Sequence, residues 1–87
     1  MENKYILESL ASDLKRVALG LHRRSNIMAQ RFLDEALKRK NEINMKKVSP
    51  YIKNLIDRLN KDIDAEDALM YSTLIQNYTQ HKKSELQ

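Results

Sequence analysis

The chain has no cysteine and no tryptophan, and only one glycine and one proline. Without cysteine there is no disulfide and no thiolate metal site, and a reducing compartment is compatible. A single glycine and a single proline in 87 residues exclude the many tight turns of an all-β fold. No run of 18 apolar residues occurs, so no transmembrane helix is expected. The opening segment MENKYILESLASD carries acidic residues and no apolar h-region, which does not fit a signal peptide. The expectation from these absences is a soluble cytoplasmic protein.

Helix-forming residues are what the chain does contain. Leu, Ile, Val and Phe supply 22 of 87 positions, above the roughly 20 % below which disorder sets in. That suffices for one domain, expected over residues 1–81, with a mobile tail over 82–87. A core of this size lies close to the limit where oligomerisation often adds stability.

Residues 4–43 form the spine of the pattern. Leu7, Leu10, Leu14, Val17 and Leu21 recur at steps of three and four and line one helix face. Glu8, Ser12, Asp13 and Lys15 fall on the opposite face, which water can solvate. Met28, Ala29, Phe32, Leu33, Ala36 and Leu37 continue the stripe, and Leu21 to Met28 is seven residues, so the two halves stay in phase. Two readings are open. Gly20 can be a left-handed helix cap and Ser25 the next N-cap, which gives a helical hairpin broken near 20–25. Alternatively one helix runs through for roughly 60 Å at 1.5 Å per residue. The preserved phase and the absence of proline favour continuity, whereas the polar cluster His22 to Asn26 favours a break.

Beyond the spine, Asn41 or Asn44 can take the left-handed cap conformation. Ser49-Pro50 is the clearest helix start, with serine as cap and proline at the first helical position. A helix over 50–62 carries Ile52, Leu55, Ile56 and Leu59, and an Asp57–Lys61 pair. Asp64 is the expected N-cap of a last helix over 65–81, with Glu66 and Asp67 in its first turn. Its apolar set is Ala68, Leu69, Tyr71, Leu74, Ile75 and Tyr78. The fold class is therefore all-α, a small antiparallel helical bundle.

Charge is unevenly placed. Residues 15–47 hold ten Lys/Arg against Asp34, Glu35 and Glu42, which exceeds the net +4 of the whole chain. Lys15, Arg16, Arg23, Arg24, Arg31, Lys38, Arg39 and Lys40 are candidate polyanion contacts. On a continuous helix Arg16, Arg23, Arg24 and Arg31 share one sector. Phe32 is the only aromatic among them, so base stacking on single strands is not expected. The competing reading is a solvated face whose long stems cover core edges.

No catalytic motif stands out. His22 and His81 lack a second ligand at i+3 or i+4, so no metal site is expected. Asp62, Asp64, Glu66 and Asp67 lack the glycine and distal glutamate of a calcium loop and read as helix caps. Tyr71, Tyr78, Met70 and Met28 fit either a core or an adaptable binding surface. No nucleophile–base pair, cofactor site or small-molecule site is evident. The expected function is a non-catalytic helical interaction module that self-associates and regulates or scaffolds another macromolecule. The alternative is a nucleic-acid-binding protein using the basic 15–47 face. If the spine is one long helix, the shorter helices cannot cover it. Leu7, Leu10, Leu14, Phe32 and Leu37 are then the expected self-association residues, in a homodimer.

Overall fold

The computed structural model describes residues 3–85, with side chains as far as Gln80. Four α-helices follow in order: α1 (Asn3–His22), α2 (Asn26–Glu42), α3 (Pro50–Asp57) and α4 (Ala65–Glu85). A short 3-10 turn, Met45–Lys47, stands between α2 and α3.

The spine is a hairpin. α1 ends in paired turn bonds, with Ser25 N–H donating to Gly20 C=O at 2.8 Å and Arg24 N–H to Leu21 C=O at 3.1 Å. That is the Schellman arrangement, and it requires a left-handed residue just past the helix. Arg24 fills that position with φ 58°, the only positive φ of a non-glycine among the described residues. The expectation that Gly20 caps the helix is thus corrected. Gly20 is a buried residue inside α1. A Cβ built on it would lie 2.8 Å from the Ala29 backbone nitrogen, so its role is to let α2 come close. Ser25 does stand at the N-cap of α2, but its side chain makes no capping bond. The preserved apolar phase, which counts toward a continuous helix, serves equally well to face the two arms of a hairpin toward each other. Because Arg24 bears the left-handed strain of a residue with a Cβ, Arg24→Gly should raise stability by about 1 kcal/mol in urea unfolding.

The second half starts and ends by clear local chemistry. The Ser49 hydroxyl accepts from Ile52 N–H at 3.3 Å, with Pro50 at the start of α3. Asp64 accepts from Asp67 N–H at 2.7 Å and caps α4. α3 is shorter than the expected 50–62. Asn60 pulls the chain out of the helix: its amide donates to Arg58 C=O and its carbonyl accepts from Asp62 N–H at 2.7 Å. Such side-chain bonds compete with helical ones. Lys61 therefore lies in a loop, beyond the reach of an i,i+4 helix pair with Asp57. Asn44 is not left-handed, with φ −79°, and its side chain instead accepts from Lys46 N–H to start the 3-10 turn. Asn3 grips the same corner, donating to Asn44 C=O and accepting from Asn44 N–H. α4 runs to Glu85, past the expected end at 81. Apart from that backbone, the tail expected at 82–87 lies outside the described residues.

α1 is the central helix, packed along α2 on one side and α4 on the other. Serine 72 donates to Ala11 C=O at 2.6 Å, and Ala68 packs with Val17 and Ala18, so α4 runs antiparallel to α1. The chain climbs back from α2 to the start of α4 through α3, whose Ile52, Leu55 and Ile56 enter the main core with Leu7, Leu10 and Leu14. A second cluster at the hairpin end joins Val17, Ala18, Leu33 and Ala68 and is roofed by Ile63 from the 58–64 loop. The result is 41 Å long and about 20 Å across, too short for a 60 Å helix. Among the described residues no helix is long and apolar enough to cross a membrane.

Candidate functional site

The hairpin distributes the basic residues instead of collecting them. Asp13, expected on a solvated face, is buried, and Arg39 Nε donates to its carboxylate at 2.8 Å. That hydrogen bond holds the Arg39 guanidinium above its ordinary range, so the arginine keeps its charge. Lys40 Nζ donates to Leu59 C=O at 3.0 Å and ties α2 to the loop after α3. The Arg16 guanidinium lies 5.3 Å from the centre of the Phe32 ring, a cation–π contact across the α1–α2 seam. Lys38 pairs with Glu35 at 3.8 Å on the exposed side of α2. Arg31 lies on that outer side near Asp34, Lys15 lines the groove between α1 and α4, and Arg23 and Arg24 are exposed at the turn. Arg16 and Arg31 thus belong to different helices, and the single sector expected for them on one helix does not exist.

Asp13–Arg39 is the one polar link in the α1–α2 seam that combines a buried carboxylate with a charged partner. Arg39→Ala leaves the carboxylate without its donor and should cost about 1–2 kcal/mol in urea unfolding. Lys38→Ala removes only an exposed pair and should change stability by less than about 0.5 kcal/mol.

The residues expected to self-associate are engaged within the chain. Leu7, Leu10 and Leu14 are fully buried in the main core, and Phe32 and Leu37 pack half-buried against the hairpin-end cluster. With the spine folded, α2 and α4 cover the stripe that a second copy was expected to cover. Of the four residues left between core and surface, Tyr71 is buried and the half-buried Tyr78 hydroxyl accepts from Ser49 N–H at 3.2 Å. Met28 is half-buried, and Met70 is 47 % exposed.

Met70, which the sequence left open between core and binding surface, stands on an exposed face of α4. α4 turns Ala68, Tyr71, Ser72 and Ile75 inward against α1 and presents Leu69, Met70, Thr73, Gln76 and Asn77 outward. Leu69, expected in the apolar set of this helix, is 51 % exposed, because the contact with α1 is set by the small residues Ala68 and Ser72, one and three positions away. From Ala68 to His81 the chain has no Asp, Glu, Lys or Arg, in a protein that is 32 % charged. No other stretch free of these residues is half as long. The signal was therefore present, as a gap in charge instead of a motif. A helix face of this kind can exclude water against a partner without stripping the hydration shell from an ion. The other large apolar side chains exposed among the described residues are Tyr5 and Leu19 near opposite ends of α1, Ile27 on α2 and Tyr51 on α3, and scattered single residues of this kind need no explanation.

Beside this face lies a groove between α1 and α4 of about 410 Å³, with Lys4, Glu8 and Lys15 on one wall and Gln76 and Gln80 on the other. Its walls are helix sides, and among the described residues no group of three or more His, Asp or Glu could hold a metal ion. Comparison with family models, curated proteins and solved structures finds no match to the chain.

Proposed function

We propose that this protein is a non-catalytic helical interaction module that self-associates, and that it regulates or scaffolds another macromolecule. The observation that carries this reading is the outer face of α4, where Leu69 and Met70 stand half exposed on a helix side without charge. Depletion of charge and presence of methionine mark the centres of protein–protein interfaces. The expected self-association residues move accordingly, from Leu7, Leu10 and Leu14 to Leu69, Met70 and their neighbours. The test is sedimentation equilibrium between about 1 and 100 μM, the range of transient contacts. The wild type should shift from monomer to dimer, and Leu69→Glu with Met70→Glu should remain monomeric with unchanged helical circular dichroism. A wild type that stays monomeric throughout would remove self-association.

A second reading rests on Arg23 and Arg24, which are exposed at the hairpin turn. In it, nucleic acid is held at the hairpin end. Arg39 and Lys40 are bonded within the chain, Arg16 stacks on Phe32 and Lys38 pairs with Glu35, so of that contact set Arg23, Arg24, Arg31 and Lys15 remain. Retention on DNA resin at about 50 mM salt, lost in the Arg23→Glu, Arg24→Glu variant, would favour it.

A further inference from the structure

We infer that the cavity at the hairpin end, between α1, α2 and the 58–64 loop, binds a small apolar carboxylate, whose carboxyl group is held at the rim by Lys61. Such a site is separate from the face proposed for protein contacts and does not depend on it. The cavity measures about 160 Å³. Its origin lies in two small residues. α1 and α2 meet backbone to backbone at Gly20 and Ala29, and neither residue has a side chain long enough to fill the space beside that contact. Val17 and Leu21 from α1, Leu33 from α2 and Ile63 from the loop wall the hollow that is left.

The lining is graded by depth. Val17, Ala29 and Leu33 are buried, and all are apolar. Leu21 and Ile63, both half-buried, come next. Asn26, Gln30 and Lys61 are exposed and form the rim. A site built this way takes the body of a molecule into its apolar depth and fixes a polar end at the mouth. The volume sets the size, because an apolar cavity of about 150 Å³ accepts a benzene ring. The body of the ligand is therefore one ring or a short branched chain, well below what a site of roughly 300 Å³ would take. No motif announces such a site, since its walls come from three segments that meet only once the hairpin has closed.

The charge of the polar end follows from Lys61. The loop carries this residue away from Asp57, and its ammonium group makes no hydrogen bond or ion pair among the described residues. Of the neighbouring acids, Asp64 caps α4, and Asp62 is exposed and does not line the cavity. A carboxylate at the rim gives Lys61 the charged partner it lacks, and hydrogen bonds between ionised groups are the stronger kind. Asn26 can add an amide donor beside it. A cationic end would be repelled, and a neutral one would leave the ammonium without a counter-charge.

The experiment follows the methyl resonances of the full chain during titration with benzoate and with its uncharged counterpart, benzyl alcohol. Concentrations run to about 10 mM, where a millimolar site is largely filled. Benzoate should give saturable shifts at Val17, Leu21, Leu33 and Ile63 and should raise the melting temperature. Naphthoate, with one more ring, should do neither. Lys61→Met keeps the stem of the side chain and removes its charge. It should weaken benzoate roughly tenfold, so that the two probes bind alike. Leu21→Phe fills the hollow from its half-buried wall and should abolish binding of both probes with helical circular dichroism intact. If that variant does not fold, the charge and size comparisons decide alone. No saturable shift with benzoate overturns the inference. Shifts confined to Leu69 and Met70 place the probe on the surface and also overturn it. Equal affinity of the unaltered chain for both probes, or a benzoate affinity untouched by Lys61→Met, overturns the carboxylate as ligand. Dimerisation is read separately by sedimentation, so failure here leaves the interaction-module reading standing.

Discussion

Leu14→Ala should lower the stability of the folded chain by about 2–5 kcal/mol. Leu14 is fully buried in the middle of α1, the helix that packs against both α2 and α4. Truncation there removes three carbons from a site walled by two neighbouring helices, neither of which can close the gap without losing contact elsewhere. Small domains hold only about 5–15 kcal/mol in total, so the loss is a large fraction. Leu55, which α3 contributes to the same cluster, should behave alike. Urea unfolding with a constant slope measures both. Losses below about 0.5 kcal/mol at both positions would show that the buried faces are assigned wrongly. Leu10→Asp belongs to the same class. On a long continuous helix it would separate two copies. In the folded hairpin Leu10 is fully buried within one chain, so an unpaired carboxylate there should unfold the monomer itself.

Gly20→Val should be about as damaging, at about 3 kcal/mol or more, for the opposite reason: it adds volume. The first added carbon alone would sit 2.8 Å from the Ala29 nitrogen and 3.0 Å from its Cα. Both atoms are backbone, so the contact is relieved only by moving the start of α2 away from α1. Overpacking of this kind usually costs about 1–3 kcal/mol, and two further carbons push toward and past the upper end. Alanine at the same position sets two terms against each other. Helix propensity improves by roughly 1 kcal/mol, while the backbone contact is still violated. A net loss is expected for Gly20→Ala, smaller than for valine. Thermal unfolding of the two variants decides the matter. If alanine proves neutral or stabilising, the two helices have room to separate, and the role of Gly20 is not close approach.

These two residues also show how far the sequence reading reached. Leu14 belongs to a stripe at steps of three and four, and periodicity alone identified it as core. Gly20 was visible as an anomaly in a helix, but its role was misjudged. A glycine needed for a left-handed turn and one needed for close helix contact look the same in sequence. The left-handed residue proved to be Arg24, at a position where arginine has no preference to announce it. Asp13 is a third example. Its position on the helical wheel suggested solvent, and its burial depends on Arg39, 26 residues away, arriving beside it. The candidate surface was half legible. Its lack of charge can be read from the letters, but which side of α4 stays uncovered follows from Ala68 and Ser72 lying against α1.

By itself the sequence determined the helical class, the start of α3 at Ser49-Pro50, the start of α4 at Asp64, and most of the core. These depend on bonds within a few residues and on the 3.6-residue period, which are local physics. Only the tertiary structure decided that the spine folds back, that Asp13 and Arg39 form a buried link, and that α3 stops at Asp57. It alone also decided that Leu69 and Met70 are left outside. Each of those outcomes compares alternatives of nearly equal local energy. A straight helix and a hairpin keep the same apolar phase. What separates them is the burial of Leu7, Leu10 and Leu14 against α4, and those contacts join residues some sixty positions apart in the chain.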